Sequence, residues 1–141
     1  MNSANTDNPS ITVRNTLPDR DKLFDFFDKQ AGRIGLAEDI YNDLKLAIDE
    51  TFVNIVSYAF DDERSHDIAM QLHLCEQRLD ITVIDNGIAF DPLNDSNKSM
   101  DQDKLDEGGM GIHIIRSLTD EQRYERIEQR NVFTLTKHYT R

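Results

Sequence analysis

The sequence predicts a two-layer α/β (α+β) sandwich, with helices on one face of a mixed, mostly antiparallel sheet. Three observations carry this. The elements run strand, two helices, hairpin, polar loop, helix, hairpin, which is not the βαβ repeat of a Rossmann-type sheet. Ile68, Met70, Leu72 and Leu74 alternate with Ala69, Gln71 and His73, and Leu79, Ile81 and Val83 with polar residues, the period of half-buried strands. Ile40, Leu44, Ile48, Phe52, Ile55 and Ala59 instead recur at helical spacing.

Taken in order, the polar residues 1–9 show no basic-then-apolar pattern and read as a disordered tail rather than a secretory signal. Ser10 to Asn15 reads as a short strand, and Leu17-Pro18-Asp19 as a turn with Asp19 as helix cap. Leu23, Phe24, Phe27, Ala31 and Ile34 mark a first amphipathic helix, and a second spans about Ala37 to Phe60. The hairpin of residues 68–83 turns at Glu76-Gln77. Asp91 to Glu107 is almost devoid of apolar residues and too long for a casual connection, so it reads as a lid or binding loop. Gly111 to Leu118 reads as a third helix. Two strands close the chain, about Glu121 to Ile127 and Val132 to His138, with a turn near Gln129-Arg130-Asn131. Residues 10–141 are expected to form one domain; 141 residues suffice for a real core.

Composition narrows the partners. A formal net charge of -11 repels phosphate backbones and anionic lipids, which argues against nucleic acid and membrane and favours a basic protein patch. No apolar stretch approaches the length of a membrane span. The single cysteine, Cys75, excludes an internal disulfide, fits a reducing cytoplasm, and reads as a small core residue at a strand end. The four histidines show no metal-ligand spacing.

Three short stretches carry chemistry. Glu50 and Asn54 lie one turn apart on a helix, away from the stripe led by Ile48 and Ile55. An Asn amide oxygen is a hard ligand suited to Mg²⁺, and a carboxylate beside it can orient or deprotonate a hydroxyl. Asp85-Asn-Gly87-Ile-Ala89 follows a strand. Its carboxylate can accept from the exocyclic amine of adenine, and Gly87 leaves room for a ring at the backbone. Gly108-Gly109-Met110-Gly111 precedes a helix, where inward backbone N–H groups and the helix dipole suit phosphate. Each alone is equally a solvated helix face, an Asn-Gly turn or a hinge. Together, in this order, they describe one adenine-nucleotide site. The Walker pattern G-x-x-x-x-G-K-[ST] and the H-R-D and D-F-G kinase signatures are absent.

On these motifs the chain resembles the GHKL ATPase superfamily, and within it the small anti-sigma factor serine kinases of the RsbW type. The N box matches as Glu50-Thr-Phe-Val-Asn54-Ile-Val-Ser-Tyr58, the first glycine box as Asp85-x-Gly87-x-Ala89-Phe-Asp91, and the second as Gly109-Met110-Gly111-Ile-His-Ile-Ile. Tyr58 and Ala59 stand where the family often has His and Gly, and the last strand lacks the usual Gly-Thr start. The resemblance covers about Val13 to Lys137 and implies a Bergerat-type ATPase fold. It implies ATP and Mg²⁺ as cofactors, Glu50 as base and Asn54 as metal ligand. Asp85, Gly87 and Ala89 would meet adenine, and Gly108, Gly109, Met110 and Gly111 the phosphates. It further implies a cytoplasmic protein serine/threonine kinase acting on a STAS-type anti-anti-sigma protein, a sigma factor as a second partner, and a homodimer. The competing expectation is a nucleotide-responsive partner-binding module without kinase activity. Asp103, Asp106 and Glu107 beside the glycines weigh against tight triphosphate binding.

Overall fold

A computed structural model of the chain describes residues 8–94 and 110–139. The elements are β1 (Ser10–Arg14), a 3-10 turn (Leu17–Asp19), α1 (Arg20–Ile34), α2 (Glu38–Tyr58), β2 (Asp67–Cys75), β3 (Arg78–Asp85), α3 (Met110–Leu118), β4 (Glu121–Ile127) and β5 (Arg130–His138). The strands form one five-stranded sheet in the order β1-β2-β3-β5-β4, and every pairing among them is antiparallel.

Alternation decides which face is buried. Ile68, Met70 and Leu72 of β2, Leu79, Ile81 and Val83 of β3, and Phe133 and Leu135 of β5 are all buried. They pack against Leu23 and Phe27 of α1, Leu44, Ile48 and Phe52 of α2, and Ile112 and Ile115 of α3. The opposite face is bound by polar ladders, such as Thr82 with Thr134 and Thr136 with Asp80. Register places Ile68, Asp85 and Asn131 in one row at one end of the sheet. Directly opposed residues share a face, so Asp85 and Asn131 both point to the helical side.

Several expectations change. Pro9, read as tail, extends the β1 edge: its carbonyl accepts from the Leu72 amide at 2.9 Å. Asp19 precedes α1 but makes no side-chain cap. Its carboxylate accepts from the Arg14 amide at 2.7 Å, tying the turn to β1, and that bond lowers its pKa. Cys75 is exposed, not core, because it continues the phase of Gln71 and His73 onto the open face. The last turn is Glu128-Gln129, with φ of 50° and 66°, so Asn131 lies inside β5 rather than in the turn. Asn54, which lies off the apolar stripe of α2, is nevertheless 4% exposed, because α3 packs across that side of α2.

Candidate functional site

The site is built where the C-terminal half of α2 passes under the start of α3 and the ends of β3 and β5. Gly111, in the first turn of α3, lies directly over the two α2 residues. A Cβ added there would fall 2.8 Å from Glu50 Oε1, and 3.6 and 3.7 Å from the Asn54 amide atoms. Only hydrogen at that position lets the helix start approach the carboxylate so closely. Glu50 is half-buried; burial, with Asp49 as a like charge beside it, raises its pKa above the ordinary glutamate range. Gly111→Ala is therefore expected to push the Glu50 side chain aside and impair any chemistry there. Its melting temperature should fall little, since a flexible carboxylate can yield where backbone cannot; thermal denaturation checks this.

Asn54 is buried, and its Nδ2 has no hydrogen-bond partner among the described residues. A buried unpaired amide is costly unless something else occupies it. Since the two amide atoms are assigned only by their partners, either can face a ligand. A hard cation bound through one amide oxygen and otherwise through water or phosphate fits this position.

Asn54 and Asp85 line the same cavity, together with Thr51, Phe90, Tyr124 and Asn131. Its volume is about 10 Å³, room for about one water. Asp85 is 3% exposed, and burial raises its carboxyl pKa, opposed by hydrogen bonds from Asn131 and the Gly87 amide and by the charge of Arg126. Both bonds fall on Oδ1, at 2.9 Å from Asn131 Nδ2 and 2.8 Å from the Gly87 amide. Asn131 is the hub of this corner. Its Nδ2 also donates to the Ile88 carbonyl at 2.8 Å, and its Oδ1 accepts from the Phe90 amide, the Tyr124 hydroxyl and Arg126. Arg126 also donates to the Gly87 carbonyl at 2.8 Å. Tyr58 stacks on Phe90 with centroids 5.3 Å apart.

The structure thus joins Glu50, Asn54 and Gly111 in one cluster, and through Asn54 joins that cluster to Asp85. It does not bring Gly87 or Ala89 to the cavity. Ala89 is exposed. Gly87 is buried against the end of α2: a Cβ there would lie far inside contact with the Ala59 carbonyl oxygen and 2.9 Å from its carbon. The missing side chain therefore admits the Ala59 backbone, to which the Ile88 amide donates at 2.8 Å. Met110 opens α3; Gly108, Gly109 and residues 95–107 of the expected lid lie outside the described residues. Of that span, Asp91 caps a turn, accepting from the Leu93 amide at 2.8 Å. Arg116 donates to the Leu93 carbonyl. Asn131 was missed as a site residue because Gln-Arg-Asn resembles a turn. Extending the inward phase of Phe133 and Leu135 by one step would have found it.

Among the described residues no cluster of His, Cys, Asp or Glu suits a metal, and no helix is long and apolar enough to cross a membrane. Residues 15–137 match the family described as the histidine kinase-like ATPase domain. Similar curated proteins are serine-protein kinases RsbW. That of Bacillus licheniformis is 30% identical over 118 residues, 79% of this chain and 72% of the relative. That of Bacillus velezensis is 34% identical over 97 residues, 64% of this chain and 61% of the relative. That of Bacillus subtilis is 32% identical over 101 residues, 67% and 63% respectively. The chain therefore spans somewhat under two thirds of the length of the Bacillus velezensis and Bacillus subtilis relatives. A solved structure of the RsbU and RsbW domains of a Mycobacterium tuberculosis protein matches 94% of this chain and 33% of that one. Its TM-score is 0.64 at 18% identity, a likeness of fold.

Proposed function

The chain belongs to the histidine kinase-like ATPase domain family, and on that premise we propose that it is an ATP-dependent protein serine/threonine kinase and anti-sigma factor. Its substrate is a STAS-type anti-anti-sigma protein, and residues 10–141 act as one ATP-binding domain, cytoplasmic and homodimeric. The observation that carries this reading is the cluster of Glu50, Asn54 and Gly111 beside the cavity that Asp85 lines.

Each residue has a task in that chemistry. Asp85 accepts from the adenine amine, with Gly87 and Ala89 shaping the loop beside it. Gly108, Gly109, Met110 and Gly111 bind the phosphates through backbone N–H groups, aided by the positive end of α3 that Met110 and Gly111 form. Asn54 holds Mg²⁺, which when bound neutralises phosphate charge. Glu50 takes the proton of the partner's serine or threonine hydroxyl as its oxygen bonds to the γ-phosphorus and the bond to the ADP oxygen breaks. Phosphoryl transfer asks mainly for positioning and charge stabilisation, which such a set supplies. A carboxylate held half-buried against Gly111 is placed to act as a base, which favours a kinase over a partner-binding module without activity. The cavity is far smaller than a purine, so lining side chains such as those of Phe90 and Pro92 have to move outward to admit one.

The test is to mix the chain with Mg-ATP and a STAS-type partner and follow the partner's mass. A gain of one phosphate is expected; no gain under any nucleotide condition rejects the kinase reading. Asn54→Ala should abolish the Mg²⁺ dependence of ATP binding seen by calorimetry. An unchanged dependence removes Asn54 as the ligand.

A further inference from the structure

We propose that Asn131 is the specificity-determining residue that makes this site prefer adenine to guanine, by fixing the orientation in which the Asp85 carboxylate meets the base. The inference rests on the nucleotide reading above and deepens it, naming a residue outside the three motifs.

The geometry is a locked relay. Asn131 stands directly opposite Asp85 across the β3–β5 pair, both on the helical side. Its amide cannot turn over. Nδ2 donates to Asp85 Oδ1 at 2.9 Å and to the Ile88 carbonyl at 2.8 Å. Oδ1 accepts from the Phe90 amide at 3.2 Å, from Arg126 at 3.1 Å and from the Tyr124 hydroxyl. A flipped amide would set its NH₂ against two obligate donors, the Phe90 amide and Arg126, and its oxygen against two acceptors, so the network assigns the orientation.

The locked amide in turn locks the carboxylate. Oδ1 already accepts from Asn131 and from the Gly87 amide, and Oδ2 takes neither of these bonds. A base entering the cavity that Asp85 and Asn131 line therefore meets an acceptor held in one orientation. Adenine offers a donor at C6, its exocyclic amine. Guanine offers a carbonyl oxygen there, which leaves two acceptors face to face in a buried setting. Such a mismatch is worth about 10- to 100-fold in affinity. Without the Asn131 donor, the Gly87 amide alone anchors the carboxylate, which can then pivot about that single bond away from the purine edge, and the Ile88 carbonyl loses the Asn131 amide. Preference for adenine then falls along with affinity.

The experiment is calorimetric titration of ATP and GTP, each with Mg²⁺, into the wild-type chain, Asn131→Asp and Asn131→Ser, with melting curves to establish folding. Asn131→Asp keeps an oxygen toward Phe90, Tyr124 and Arg126 but sets a second carboxylate against Asp85. Asn131→Ser is too short to reach Asp85 and carries the test if the charged variant fails to fold. The wild type should favour ATP by about 10- to 100-fold, and a folded variant should bring the ATP/GTP ratio close to one. A merely structural role would weaken both nucleotides alike. A wild-type ratio retained in a folded variant overturns the proposal and leaves the nucleotide reading standing. A wild-type chain that binds ATP and GTP equally also overturns it alone. A wild-type chain that binds neither overturns both.

Discussion

Glu50→Gln is expected to lower phosphoryl transfer to the partner protein by about 10²- to 10⁴-fold, the range a positioned general base contributes, while Mg-ATP still binds. The amide has nearly the shape of the carboxylate, so the close approach of Gly111 to position 50 is kept. What goes is the only function that needs a proton acceptor. Single-turnover phosphorylation followed by mass spectrometry reads the transfer, and calorimetry reads the binding. Transfer at the wild-type rate would remove Glu50 from the base role. Loss of binding and transfer together would make it a structural residue.

The largest effect on the fold is expected from Gly87→Ala. Its added carbon would overlap the Ala59 carbonyl, which is backbone at the end of α2 and cannot swing aside. The segment from Asp85 to Phe90 would have to lift, breaking the Ile88-to-Ala59 bond and the Arg126 bond to the Gly87 carbonyl. Overpacking of this kind costs about 1–3 kcal/mol, and the lost bonds add to it. A lowered midpoint in denaturant unfolding, with an unchanged slope, is the expected result. An unchanged midpoint would mean that the segment moves away from α2 without cost.

The layers of the fold were legible because they rest on local periodicity. Ile68 to Leu74 and Leu79 to Val83 declare an inward face, and Leu44 to Ile55 declares a helical stripe. What escaped the sequence depends on contacts between distant segments. Asn54 is four residues from Glu50 and on a polar side of its own helix, yet α3 arrives from more than fifty residues away to bury it. Cys75 looked apolar and therefore internal, but the phase of its strand directs it outward. The β4–β5 turn was misplaced because Glu128 and Gln129 adopt positive φ without being glycine or asparagine, the residues that announce such turns. That shift of one residue pair hid Asn131. The pairing of Asp85 with a strand almost fifty residues on is a matter of sheet register, which no local motif records. Of the residues the motifs named, Glu50, Asn54 and Gly111 stand together, and Asp85 shares a cavity with Asn54. They also placed Gly87 at a purine, whereas its missing side chain is already explained by Ala59.

The most direct measurement is a crystal structure of the chain with Mg²⁺ and a non-hydrolysable ATP analogue. The adenine amine should lie on Asp85, the metal on Asn54, and the γ-phosphate close enough to Glu50 to leave room for one hydroxyl between them. An analogue seated on any other surface, or a base in the pocket that leaves Asp85 and Asn54 without contact, would contradict the account.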